Sequence, residues 1–296
     1  MNWSDVWDAM FGGISDYGDI LALVSNSVIA GAVLGLVGGL VGVFVMQRDM
    51  AFAVHGISEL SFAGAAAALL IGADVVTGSI LGSLIAAGLI GWLGARARDR
   101  NSIIGVLMPF GLGLGILFLS LYSGRSANRF SLLTGQIVSV QSGQLGWLIG
   151  IGLVVLAGIV LIWRPLRFDS LDPQSAAARG VPTTAVSLIF MLLLGLIVAV
   201  SVHIIGALLV MALLVTPAAA AMRVSSGPVA VPVLAAVFGF VSAVGGILLA
   251  IAGTLPVSPY ITTISFAIYV VCRIVGARRE RIPRGARTGT SKASPA

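Results

Sequence analysis

His55 and Glu59 stand four residues apart in a run, Ala51 to Ile71, that holds no other ionisable side chain. On a helix, residues i and i+4 share one face, about 6 Å apart along the axis, so both side chains can act on one ligand. An imidazole nitrogen with a carboxylate oxygen is a donor set for Zn²⁺ or Mn²⁺, and the softness of imidazole places zinc first. The same two groups are also the parts of a proton relay, and the plainest reading is that they only bond to each other. A carboxylate near mid-bilayer costs about 2.5–3.5 kcal/mol on insertion scales, so Glu59 is expected to face a polar cavity or a partner, not lipid. Two ligands from one chain hold an ion weakly, as passage through a membrane requires.

Other polar residues in apolar surroundings are fewer. His203 falls at the junction of two apolar runs, where an ordinary interfacial histidine and a pathway entrance are both open readings. Pro217 lies late in an apolar run and removes one helical hydrogen bond, which marks a kink, a helix end or a hinge. Asp74 reads as a solvated turn residue. Cys272, the single cysteine, can form neither an internal disulfide nor a cysteine cluster and reads as packing. In the stretch Arg164 to Pro182, Asp172 before Pro173 has the pattern of an N-cap with proline at the first helical position, and Gly180 with Pro182 supplies a stop. A short helix lying across the membrane face is expected there, a plausible docking handle for another protein.

The elements that position these residues follow from composition. Of 296 residues, 58% are hydrophobic and 9% charged, with a mean hydropathy of +1.09, which leaves lipid as the main solvent. Runs near the roughly 20 residues that cross a hydrocarbon core recur along the chain. They are Leu21–Met46, Phe52–Ile71, Val75–Ala95, Ile103–Tyr122, Leu145–Trp163, Thr184–Val202, Ile204–Met222, Val229–Ile251 and Tyr260–Val275. The fold class is therefore all-α, a polytopic membrane domain over residues 21–277 with eight or nine spans. Gly31, Gly35 and Gly39, and Gly111 with Gly115, recur at the four-residue spacing that lets helices approach closely.

With nine spans, the bases at Arg48, Arg96/Arg98/Arg100, Arg164/Arg167, Arg223 and Arg273 to Arg287 fall on one side, the cytoplasmic one by the positive-inside rule. That topology accounts for the net charge of +6 without nucleic acid. Residues 1–20, with four aspartates and no base, then lie outside and are no signal peptide. Arg125 and Arg129 fall outside, in a Ser123–Gly143 segment that reads as a re-entrant hairpin. Residues 278–296 read as a disordered basic tail able to touch anionic lipid. There is no G-x-x-x-x-G-K-[ST] loop, no H-E-x-x-H and no G-x-S-x-G, so nothing supports an ATPase or hydrolase of the usual kinds.

Three stretches carry a resemblance. GALLVMALLVTPAAAAMR, Gly206 to Arg223, FDSLDPQSAAARGV, Phe168 to Val181, and QRDMAFAVHGISELSFAG, Gln47 to Gly64, look like the permease subunits of the zinc/manganese ABC importers, related in fold to vitamin B12 and siderophore permeases. The likeness spans roughly residues 25 to 275. It implies a type II importer permease whose coupling helix, at about 168–181, sits in a groove of an ATPase subunit, with Asp169, Asp172, Ala177 and Gly180 on its recognisable positions. In the second span the family's motif has an aspartate and a histidine four apart that serve the metal path. Here His55 stands at the aspartate position and Glu59 at the histidine position, so one nitrogen and one carboxylate ligand are kept in reversed order.

The resemblance further implies a homodimer in the cytoplasmic membrane, a separate ATP-binding cassette subunit inside, a metal-binding protein outside, and Zn²⁺ or Mn²⁺ as cargo with no stable cofactor. Rival readings are a permease for a chelate, haem or other small solute, a proton-coupled carrier using His55 and Glu59 as relay, and a non-transporting scaffold.

Overall fold

A computed structural model describes residues 18, 21, 23–93, 97–124, 137, 140–252 and 256–281. In order along the chain, the helices are α1 (Ser25–Gln47), α2 (Ala51–Ile71), α3 (Val75–Leu93), α4 (Ala97–Leu121), α5 (Ser142–Leu161), α6 (Trp163–Leu171), α7 (Pro173–Ala178), α8 (Thr183–Ile205), α9 (Ala207–Val224), α10 (Ala230–Ile251) and α11 (Val257–Arg281). The described residues include no strand, as a chain solvated by lipid demands, because helices satisfy every backbone polar group within the segment. Eight helices are long and apolar enough to cross a membrane, and α9 supplies a ninth, shorter apolar stretch, Leu209–Val224. All nine expected spans are found as helices.

Close backbone contact organises the bundle. Helix α1 runs antiparallel to α10, and a Cβ added to Gly35 would lie 2.5 Å from the Gly239 carbonyl oxygen, while one on Gly39 would strike the Ala235 carbonyl. Helix α2 meets α3 the same way, through Gly64 against Gly78 and Gly82. On its other side α2 packs parallel to α4, where Gly111 sits on the backbone at Glu59 and Leu60, and Gly115 receives the ring of Phe62. The glycine repeats seen in the sequence are thus the seams of the fold. Helix α2 also touches α8 and α9, so it lies inside, flanked on four sides.

The ends of α1 and α9, the start of α10 and helix α6 converge around a cavity of about 290 Å³, lined by Gln47, Trp163, Arg167, Ser225 and Val231 among others. This is the basic end of the bundle. Asp74 and His203 mark the opposite end.

Several expectations change in detail. Helix α4 begins at Ala97, so Arg98 and Arg100 are helical and only Asn101–Leu121 has span character. Ahead of the expected short helix the chain forms a further nine-residue helix, α6. Helix α11 continues to Arg281, which places Arg278 to Arg281 in a helix and not in a disordered tail, while residues 282–296 lie outside the described residues. Pro217 does not end α9, which runs seven residues further. The Leu213 carbonyl that Pro217 cannot engage lies beside Gly38 of α1, and the Leu214 carbonyl presses on Gly42. Arg125, Arg129 and most of the expected hairpin lie outside the described residues, as do residues 1–17. Cys272 is buried, as a packing residue would be.

These seams predict opposite outcomes for one chemical change. Gly39→Ala should lower the melting temperature of the detergent-solubilised protein, because the new methyl meets backbone that cannot yield, at a cost of about 1–3 kcal/mol. Gly88→Ala, with open space around the added carbon, should leave it unchanged or raise it by up to about 1 kcal/mol equivalent. Thermal melts followed by size-exclusion chromatography read both.

Candidate functional site

Three residues of turn separate α1 from α2, and their geometry fixes where His55 falls. Arg48 closes α1 by donating its backbone N–H to the Phe44 carbonyl, Asp49 takes a left-handed φ of 52°, and the N–H of Met50 returns to the Val45 carbonyl. A non-glycine residue at such a φ is held by its surroundings, and Met50, 1% exposed, is the buried side chain that anchors the turn. Helix α2 starts at the next residue, so His55 lies in its second turn and Glu59 one turn deeper.

The two side chains meet. His55 Nε2 and Glu59 Oε1 are 3.5 Å apart. That is longer than a tight hydrogen bond, and close to the roughly 3.3 Å edge that two ligands at about 2.0–2.1 Å from one tetrahedral ion would span. Glu59 is buried at 5% exposure, whereas the His55 side chain keeps 27% and Phe52, one turn earlier on the same face, keeps 64%. The carboxylate is therefore sunk in the bundle and the imidazole is partly exposed. His55 Nδ1 is buried and has no protein partner in the chain. The backbone around the pair is fully used, with Ser58 donating its hydroxyl to the His55 carbonyl at 2.8 Å. Among the described residues no group of three or more His, Cys, Asp or Glu side chains gathers, so one chain presents a two-donor site.

His203 is not part of that site. It lies in the last turn of α8, before Gly206 turns the chain with φ 84° into α9. From His55 to the far end of α2 is about 24 Å at 1.5 Å per residue. His203 Nε2 lies 3.0 Å from Gln144 Nε2 in the first turn of α5. The Gln144 Oε1 accepts the backbone N–H of Gln141 in a capping box, so the amide nitrogen is the donor and Nε2 the acceptor. Gln144 was not singled out in the sequence, although the Gln141–Gln144 spacing before an apolar run is a capping signal. Asp74 lies near this pair. It caps α3, its Oδ2 accepting from the Thr77 N–H at 2.8 Å and the Thr77 hydroxyl at 2.7 Å.

At the basic end the expected short helix is present as α7. The Asp172 carboxylate accepts from the Ser175 N–H at 3.0 Å and pairs with the Ser175 hydroxyl at 2.5 Å, Pro173 takes the first turn, and Gly180 has φ 83°. These bonds hold the Asp172 carboxyl below the ordinary aspartate range, the Ser175 hydroxyl contributing most. Asp172, Ala177 and Gly180 are exposed and face away from the bundle. Asp169 differs from the other three residues of that stretch. It is 3% exposed on α6, with Oδ2 2.7 Å from Arg48 NH2. Arg48 NH1 also donates to Ser170 Oγ at 3.4 Å, and the guanidinium lies 5.6 Å from the centre of the Phe190 ring. Nothing local in the sequence pairs Arg48 with Asp169, since the chain makes two full hairpins between them.

A model of the ABC 3 transport family matches residues 21–276. A manganese transport system membrane protein MntC of Halalkalibacterium halodurans is 32% identical over 225 residues, covering 76% of this chain and 77% of its own length. The manganese import system permease protein ScaB of Streptococcus parasanguinis is 26% identical over 259 residues, 87% of this chain and 92% of its own. Among solved structures, PsaBC from Streptococcus pneumoniae in complex with Fab superposes with a TM-score of 0.78 at 27% identity, over 88% of this chain and 95% of that one.

The cap at Asp74 carries a pH dependence. Its carboxyl is held below the ordinary aspartate value of 3.8, first by the Thr77 hydroxyl and then by the Thr77 N–H. A depressed folded-state value contributes stability above the unfolded value and loses it as pH falls through the folded one. Asp74→Ala should therefore cost about 0.5–2 kcal/mol near neutral pH, and the difference from the unchanged protein should vanish in acid below that range. Paired thermal melts across the acidic limb read this, and a gap that persists there would contradict the cap.

Proposed function

The chain belongs to the ABC 3 transport family, and we propose that it is the membrane-spanning permease of an ATP-driven importer whose cargo is a divalent transition-metal ion. The observation that carries this reading is the His55–Glu59 pair, a nitrogen and an oxygen donor 3.5 Å apart on an otherwise uncharged helix, the carboxylate buried and the imidazole partly exposed. The relatives named for manganese support the metal class. Imidazole and carboxylate serve both Mn²⁺ and Zn²⁺. Softness alone ranks zinc first, the named relatives rank manganese first, and we take manganese as the leading cargo with zinc as its competitor.

In this reading the chain binds no ATP of its own, consistent with its lack of a phosphate loop, and a separate ATPase subunit docks on the exposed face of α7 through Asp172, Ala177 and Gly180. An extracytoplasmic binding protein delivers the ion at the Asp74–His203 end, where His203 lines the entrance. The bases at the other end set that side in the cytoplasm, with the N-terminus outside and the C-terminus inside. A second copy of the chain brings a second His55 and Glu59, so four donors surround an ion that each chain alone holds with two. Pro217, which frees a carbonyl in α9 beside α1, is the hinge of the movement. The ion is substrate, held weakly and released.

The test is uptake into vesicles by the permease reconstituted with its ATPase and binding protein. His55→Ala with Glu59→Ala should lower uptake of manganese, and of zinc in parallel assays, by at least about 10- to 100-fold, with assembly unchanged. Undiminished transport of both metals would refute the site.

A further inference from the structure

The Arg48–Asp169 pair lies outside the two-donor site, and its placement ties that site to the docking helix. Arg48 belongs to the three-residue turn that leads into α2, and His55 follows one turn inside that helix. Asp169 belongs to α6, and only Asp172 separates α6 from α7. The pair is thus the point where the segment carrying the metal donors and the segment carrying the exposed α7 are joined by a direct charge contact of 2.7 Å.

The joint is built to be rigid. Both side chains are sunk, at 9% and 3% exposure. The guanidinium reaches a second residue of α6, Ser170, whose own hydroxyl donates to the Leu166 carbonyl at 2.6 Å. It also lies over the Phe190 ring of α8, and Phe190 stacks edge-on against Phe44 in the last turn of α1, which in turn meets Trp163 at the start of α6. On the α2 side, the left-handed Asp49 and buried Met50 leave the turn little freedom to absorb a displacement of Arg48. A movement of α6 therefore has a short, stiff route to α2.

We propose that Arg48 and Asp169 are positioning residues that convert displacement of α7 by the ATPase into displacement of α2 and its metal donors. The inference rests on the import reading above. A buried pair serving stability alone and a buried pair serving transmission differ in one measurable respect. The first changes assembly and ATP hydrolysis together with transport, whereas the second changes the number of ions moved per ATP hydrolysed while leaving the complex and its basal hydrolysis in place.

The experiment compares Arg48→Gln, Asp169→Asn and Arg48→Lys in the full reconstituted complex, with manganese as the transported ion. Assembly, basal ATP hydrolysis and manganese ions accumulated per ATP are measured on the same vesicles. The two neutral variants should assemble and hydrolyse ATP as the unchanged complex does, but their ion-to-ATP ratio should fall about tenfold, within the range a coupling between sites supplies. Arg48→Lys, which keeps the charge and loses the planar fork, should recover most of the ratio. An unchanged ratio in the neutral variants overturns the inference, and so does a fall in transport matched by loss of assembly or of hydrolysis. An unchanged complex that moves neither manganese nor zinc overturns the import reading and this inference with it, whereas import with an unaltered ratio overturns this inference alone.

Discussion

Charge inside a bundle solvated by lipid has to be matched where it stands, because neither bulk water nor lipid will do it. The buried serines of this chain illustrate the easy case. Ser83, Ser201 and Ser242 each turn the hydroxyl back to a carbonyl of the preceding turn, which any helix offers. A carboxylate finds no such donor on its own helix backbone. Glu59 has His55 one turn away, and Asp169 has Arg48 from another helix. Among the described residues these two buried carboxylates both find their partners close to the α1–α2 turn, Arg48 within it and His55 in the second turn of α2, and α2 lies at the centre of the bundle.

Centrality is bought with glycine. Helix α2 has neighbours on four sides, and two of its seams place backbone on backbone, at Gly64 against Gly78 and Gly82 of α3, and at Gly111 of α4. Such contacts gain dispersion and cost helix propensity, about 1 kcal/mol for each glycine relative to alanine. The exchange brings α4 against the backbone at Glu59 and Leu60. Near the start of α2 the face shared by Phe52 and His55 stays partly exposed.

Most of the architecture was legible because each span is a run of uncharged residues near membrane thickness, and the glycine spacing announced the seams that the coordinates then place. The Asp172–Pro173 cap was legible for the same reason, since its signal lies within four residues. What local pattern could not give was anything made between distant segments. Arg48 reads as a lone boundary base and Asp169 as part of a docking stretch, and only the fold makes them partners. Gln144, whose only local signal is its spacing from Gln141, becomes the partner of His203 because the start of α5 and the end of α8 lie side by side. Helices α4 and α11 run past their apolar spans, a continuation that hydropathy does not signal. A helix carries on into the interface when its next residues are arginines and glutamate, which suit helices and reach water.

The reversed order of the donors has a physical consequence of its own. With imidazole at 55 and carboxylate at 59, the partly exposed position carries the nitrogen donor, and the carboxylate stands about 6 Å deeper along the axis, where almost none of it is exposed. The deeper position is the one where a carboxylate most needs a matching group, and the only ionisable side chain one turn away on the same helix is His55. The same two residues in the opposite order would set the carboxylate at the partly exposed position and weaken that demand. The order therefore ties Glu59 to its neighbour more tightly than the reverse order would.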